Sequence, residues 1–192
     1  MQERLPSRAR ILRAAKQLFQ ARGYHGVGIN EILAEADVPK GGFYHHFPDG
    51  KSALAAEVIA AFCAEVDELI LLHRARGQEA GSILRLVAKA MAARLAASNW
   101  QEGSLVSVMA QEAMACDVRL TGAVQDAYAR WRSEFADILI ERRCEPERAT
   151  VLSHLAVVVL EGGMILARVD RSVELFAAAV GDIAGLMEIE SR

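Results

Sequence analysis

Proline is almost missing from this chain, with four residues in 192, at positions 6, 39, 48 and 146. Alternating β-branched runs are nearly absent too, while Ala, Leu, Glu and Arg are abundant. Together these absences exclude a sheet-based fold and leave an all-α one. Cysteine is scarce. Cys63, Cys116 and Cys144 are widely spaced, odd in number, and no CxxC occurs. They read as small buried hydrophobes in a reduced compartment. A thiol-sensing role would need an activated thiolate, and nothing in the sequence points to one. Signatures of catalysis are missing as well. There is no Glu-x-x-His pair, no His-Glu-x-x-His, no Gly-x-Gly-x-x-Gly after a strand, no Walker loop, and no Ser or Cys nucleophile in a known setting. The expectation is a non-enzyme without metal or cofactor, and a helical-bundle enzyme of unknown chemistry stands as the alternative. No signal-peptide pattern and no apolar run of 18 residues is present, so a soluble cytoplasmic protein with no membrane partner is expected.

Positive charge is also in short supply, with a net charge of −3, but it is unevenly placed. Residues 1–51 hold eight Lys/Arg against five Asp/Glu, or +3; the remainder holds 14 against 20, or −6. Such asymmetry marks the first segment as the part suited to a polyanion. Because +3 is modest, affinity would depend on pairing two such segments.

Within that segment, residues 23–51 carry the most information. Ile29, Ile32, Leu33 and Ala36 repeat at helical spacing. Asp37-Val38-Pro39 breaks the pattern, and Pro39 suits the first turn of a following helix. The second helix, Lys40 to Phe47, packs two glycines, three aromatic rings and two histidines into eight residues, and Pro48-Asp49-Gly50 ends it. Helix, tight turn, helix is the plan whose second helix enters the DNA major groove. Gly41 and Gly42 would let the backbone approach a surface closely. Tyr44, His45 and His46 can donate to phosphate oxygens or base edges. Lys51, at the start of the next helix, joins its charge to the free N–H groups there. Phe43 and Phe47 read as core.

This stretch resembles the DNA-binding domain of TetR-type transcriptional regulators. The residues that carry the resemblance are Gly23-Tyr24, Ile29-Asn30-Glu31-Ile32, Ala36 to Gly41, Phe43-Tyr44-His45-His46-Phe47 and Lys51. The run from Pro39 to Lys51 is similar to the LmrA/YxaF-like branch, since most of the family has a shorter turn before this lysine. Lys40 and Asn30 complete the candidate DNA contacts on the matched positions. The family usually places Thr or Ser before the first of the two helices, as N-cap and phosphate contact. Here Val27 and Gly28 stand instead, so that contact is not carried over. The resemblance implies an N-terminal three-helix helix-turn-helix DNA-binding domain, residues 1–51. It also implies a C-terminal helical ligand-binding and dimerisation domain, residues 52–192, with about nine helices in all.

The rest of the chain fits nine helices. Residues 1–6 read as an N-terminal arm in which Arg4 could reach DNA. Ser7 is the expected N-cap of a first helix ending at Gly23. A fourth helix, about 51–76, belongs to both halves. In the family it links ligand to DNA mechanically, and the resemblance implies the same here. Gly77 and Gly81 bracket a loop before a fifth helix, about 82–98. A sixth covers about 105–116, a seventh 118–143 behind the N-cap Asp117, an eighth 146–169 and a ninth 172–189.

Phe62, Met91, Leu95, Trp100, Met109, Met114, Tyr128, Trp131 and Phe135 form an apolar core whose Met and aromatic content suits an adaptable pocket. For any single residue, ordinary core packing is the better explanation. The resemblance favours a pocket for a small, largely apolar effector, with candidates Phe62, Met91, Leu95, Trp100, Met109, Glu112, Tyr128 and Trp131. Arg94, His73 and His154 are further polar groups at its edge, although a lone His such as His154 is more often a core residue. Helix eight is apolar nearly all round and needs covering on more than one side. The expectation is a homodimer through the last two helices. Glu161-Gly162-Gly163 either admits a second backbone or marks a kink.

Overall fold

The computed structural model describes residues 5–113 and 117–190; Arg4, Met114 and Cys116 lie outside them. Among the described residues there are nine helices and no strand. They gather into two compact units. One comprises the chain up to Phe62 with Leu105–Gln125; the other comprises Cys63–Ser104 and the chain from Asp126 onward.

The first unit is built on α1 (Ser7–Arg22), α2 (Ile29–Ala36) and α3 (Lys40–His46). Ile11, Ala14, Ala15 and Phe19 form the buried face of α1, as the 3.6-residue period requires. The N-cap is Pro6, not Ser7. Ser7 is already the first helical residue and makes no capping bond, because the Pro6 carbonyl accepts the Arg10 N–H (3.1 Å) and begins the first turn itself. Gly23 ends the helix at φ +76°, its N–H donating to Phe19 O at 2.9 Å. Helix α2 starts behind Gly28. In place of a capping hydroxyl, the Glu31 carboxylate reaches back to accept the Gly28 N–H at 2.7 Å. That bond and Arg22 hold the Glu31 carboxyl below the usual carboxylate range.

Helices α4 (Gly50–Ala75) and α7 (Val118–Glu141) each begin in the first unit and continue into the second. Asp117 Oδ1 accepts the N–H groups of Arg119 (2.9 Å) and Leu120 (3.2 Å), the expected cap. Helix α6 (Leu105–Ala113) belongs to the first unit and packs on α1. The last residues of the expected sixth helix, 114–116, lie outside the described ones.

In the second unit, α5 (Ala80–Ala97), α8 (Pro146–Asp170) and α9 (Glu174–Ile189) pack on one another. Gly81 corrects the expected loop. It lies inside α5, buried, where a Cβ would fall 2.4 Å from Ala184 O. The missing side chain serves a helix contact there rather than a turn. Gly163 is pressed by a ring of its own chain, with a Cβ falling 2.4 Å from Phe176 Cδ2, whereas Gly162 faces open space. Helix α9 starts two residues later than its periodicity suggests, because Arg171 takes the left-handed conformation (φ +50°) after α8. Helix α8 is long and apolar enough, by length and composition, to cross a membrane. Its inner residues Leu152, Ala156, Leu160 and Met164 are buried, while Val151, Val158, Ile165, Leu166 and Val169 are exposed. Leu175, Leu186 and Ile189 of α9 are exposed as well.

Candidate nucleic-acid interface

Phe43 and Phe47 anchor α3, with ring centroids 5.6 Å apart and both side chains fully buried. Placing these two rings inward turns the residues between them outward. Tyr44 is 57% exposed, His45 and Lys40 are exposed, and His46 is half-buried. Tyr44 stands edge-on to Phe43 with centroids 5.2 Å apart, which stiffens an otherwise free ring. The two glycines differ. A Cβ at Gly41 would meet nothing within 4 Å, while one at Gly42 would sit 3.2 Å from Val38 Cγ1. Gly41 is therefore the position open to a close approach from outside. Asn30 and Lys40 share the rim of a shallow hollow of about 420 Å³ between α2 and α3, floored by Leu33 and Val38.

A Gly41→Ala exchange separates the two uses of this residue. Alanine should raise the melting temperature, since Gly costs a helix about 1 kcal/mol relative to Ala. It should weaken DNA binding if the backbone approaches the duplex there. Thermal melts and duplex titrations on the same preparation check both signs.

Lys51 is turned inward. Its ammonium donates to Tyr24 O at 2.5 Å and lies 4.2 Å from the centroid of the Tyr24 ring. Burial lowers its pKa, opposed by the carboxylates of Glu112 and Glu31. Glu112 likewise belongs to the first unit, its Oε2 accepting the His25 N–H at 2.8 Å. Other cations of the segment are engaged internally: Arg8 with Glu57, Arg10 with Asp37 O (2.9 Å), and Arg22 with Gly26 O (2.7 Å) and Glu31 (2.9 Å).

The ligand candidates fall in both units. Phe62 and Met109 are buried in the first; Leu95 and Trp131 are buried, and Met91, Trp100 and Tyr128 half-buried, in the second. Trp100 takes φ +65° directly after Asn99 at +53°, and its carbonyl accepts Arg168 Nε at 3.1 Å. The sequence reading missed Glu161. Its carboxylate accepts Ser104 Oγ at 3.0 Å and bonds the Tyr128 hydroxyl, whose pKa rises through burial and then through the Glu161 charge. Within the Glu-Gly-Gly triplet only the glycines had stood out. A polar residue opening an apolar helix turn was the signal available. Arg94 pairs with Glu65 at 3.1 Å on the surface. His154 is exposed and lines an open groove of about 520 Å³ between α7 and α8, rather than standing in the core.

Residues 80–181 match the family model described as transcriptional regulator LmrA/YxaF-like, C-terminal domain. Residues 11–58 match bacterial regulatory proteins, tetR family. The chain belongs to the TetR family of transcriptional regulators, in the LmrA/YxaF-like branch. It is 31% identical over 160 residues to the HTH-type transcriptional regulator LmrA of Bacillus subtilis (strain 168), covering 83% of this chain and 85% of that one. It is 31% identical over 171 residues to the HTH-type transcriptional regulator YxaF of the same strain, covering 89% and 90%. The solved structure of regulatory protein TetR from Rhodobacter sphaeroides superposes with a TM-score of 0.82 at 23% identity, over 93% of this chain and 97% of that one. That likeness concerns the fold. The TetR-family chain is a transcriptional regulator, not an enzyme.

Proposed function

We propose that this regulator is a homodimeric repressor that occupies a palindromic operator and is released by a small, largely apolar effector. The observation that carries the DNA-reading role is α3 itself. Two buried phenylalanines hold it while Tyr44, His45, Lys40 and the bare backbone at Gly41 face outward. In this reading residues 1–51 are the DNA-binding domain and residues 52–192 bind effector and dimerise. His46, Gly42 and Asn30 border the contact. Lys51 supports it from behind, its charge adding to the free N–H groups at the start of α4. Two such readers enter successive major grooves about one helical turn apart. The effector would be held in the second unit by residues of the Met91, Leu95, Trp100, Tyr128 and Trp131 set, while Phe62, Met109 and Glu112 lie in the first. Release requires that it bind better to a conformer whose readers no longer match the operator spacing. Helix α4, which is continuous from reader to second unit, would transmit the change. The chain would act in the cytoplasm, where the DNA is.

A mobility-shift assay on the DNA upstream of the protein's own gene, with and without candidate effectors, tests this. A retarded band lost on adding an effector is expected, and a chain that retards no duplex at physiological salt would refute the reading. Tyr44→Ala should weaken operator binding by about 1–3 kcal/mol, or roughly five- to 150-fold. Its melting temperature should stay put, since so exposed a ring contributes little to the core. Equal operator affinity in titrations of mutant and wild type would remove Tyr44 from the interface.

A further inference from the structure

The loop that enters the helix-turn-helix is held from α6, and the loop that leaves it is held from the start of α7. On the entry side, the Glu112 carboxylate lies against Gly23, where a Cβ would fall 1.8 Å from Glu112 Oε1. Its Oε2 accepts the His25 backbone N–H at 2.8 Å, and the His25 ring Nε2 donates to the Glu112 carbonyl at 3.2 Å. Lys51 grips the same loop through Tyr24 O, and the Glu112 carboxylate, more than that of Glu31, stabilises this half-buried ammonium. On the exit side, Arg119 Nη2 donates to Asp49 Oδ2 at 3.1 Å. The Ser52 hydroxyl donates to Asp117, the residue that also caps α7.

We infer that Glu112, Asp117 and Arg119 are positioning residues for DNA reading: the end of α6 and the start of α7 hold both loops flanking α2 and α3 and so fix the pitch of the recognition helix. The inference rests on the DNA-binding reading above. It makes a prediction opposite in sign to simple electrostatics. Glu112 and Asp49 are negative charges beside a surface meant for a polyanion, so removing either should by charge alone tighten binding. If they position the reader, removing them weakens sequence-specific binding.

The test uses the full-length dimer. Its probes are a duplex selected by the wild type from a random-sequence pool and a scrambled duplex as comparator. Glu112→Ala should bind the selected duplex about tenfold more weakly, the range of one specific contact, with the scrambled duplex unchanged or slightly tighter. Glu112→Gln removes the same charge but keeps an oxygen for the His25 N–H, and should stay within about threefold of wild type. Asp49→Ala, on the exposed side, should weaken the selected duplex by at least about threefold. Hydrogen exchange across residues 20–28 should accelerate in Glu112→Ala and not in Glu112→Gln. Equal affinities of the Ala and Gln variants, or an Asp49→Ala protein that binds as tightly as wild type or more so, overturn the inference. Should Glu112→Ala not fold, Asp49→Ala decides alone. A wild type that selects no sequence overturns the DNA-binding reading and this inference with it, whereas a wild type that binds while the variants match it overturns the positioning role alone.

Discussion

A chain carrying Val158→Asp and Leu166→Asp is expected to sediment as a folded monomer and to lose tight operator binding. Both side chains are largely exposed in the isolated chain, Val158 at 51% and Leu166 at 64%, so neither change opens a cavity. They lie on one stripe of α8 with Val151, Ile165 and Val169, beside Leu175, Leu186 and Ile189 of α9. An apolar stripe of that length is the mark of a partner surface. On the opposite side, Gly163 and Phe176 lock α8 to α9 within the chain, so the pair would meet its symmetry mate as a preformed unit. In the proposed homodimer, symmetry would place each aspartate in the interface twice. Burying an unpaired carboxylate costs several kcal/mol. Even about 4 kcal/mol in total raises the dimer dissociation constant roughly a thousandfold. Operator affinity falls with it, because two linked readers bind far better than one. Sedimentation velocity at micromolar concentration checks the first claim, and titration of a palindromic duplex the second. A double mutant that still sediments as a dimer places the interface elsewhere.

In a Cys116→Ser background, Cys63 should react with a thiol reagent about a thousandfold more slowly than an ordinary surface cysteine. Burial pushes the Cys63 thiol up to about 12, and the Asp67 carboxylate adds to this more than the Arg130 guanidinium offsets. Relative to a usual value near 9, three pH units remove about 99.9% of the thiolate at any working pH. Cys144 is shifted the same way, again chiefly by burial. Both should therefore stay unlabelled in the native protein and react promptly in denaturant. Rapid labelling of Cys63 in native buffer would show that the second unit opens, and would restore the thiol-sensing reading set aside from the sequence.

Much of the fold was legible because helical periodicity, Gly23, Pro39 and Pro146 are local signals. Their partners lie within a turn or two along the chain. The misreadings came from long-range contacts. Gly81 looks like a loop residue until Ala184, 103 positions away, is seen against it. Ser7 looks like a cap, but Pro6 already supplies the first carbonyl. At the reader, the split between the buried Phe43 and Phe47 and the exposed Tyr44 and His45 followed from spacing. Lys51 and Glu112 did not. Their bonds to the 24–25 loop join residues 27 and 87 positions apart, and no pattern in either neighbourhood announces them. Glu161 was hidden because glycines dominate its triplet.

The inward engagement of Arg8, Arg10, Arg22 and Lys51 bears on how such a protein searches a genome. In the proposed reading, a reader with these four cations engaged on its own scaffold and Lys40 left outward would displace fewer counterions from arbitrary DNA, so its grip on non-operator sequence would be looser. Short dwell times on the wrong sites leave more copies free in solution. Discrimination would then fall largely to the uncharged groups of α3, whose hold would not melt away as the salt concentration climbs.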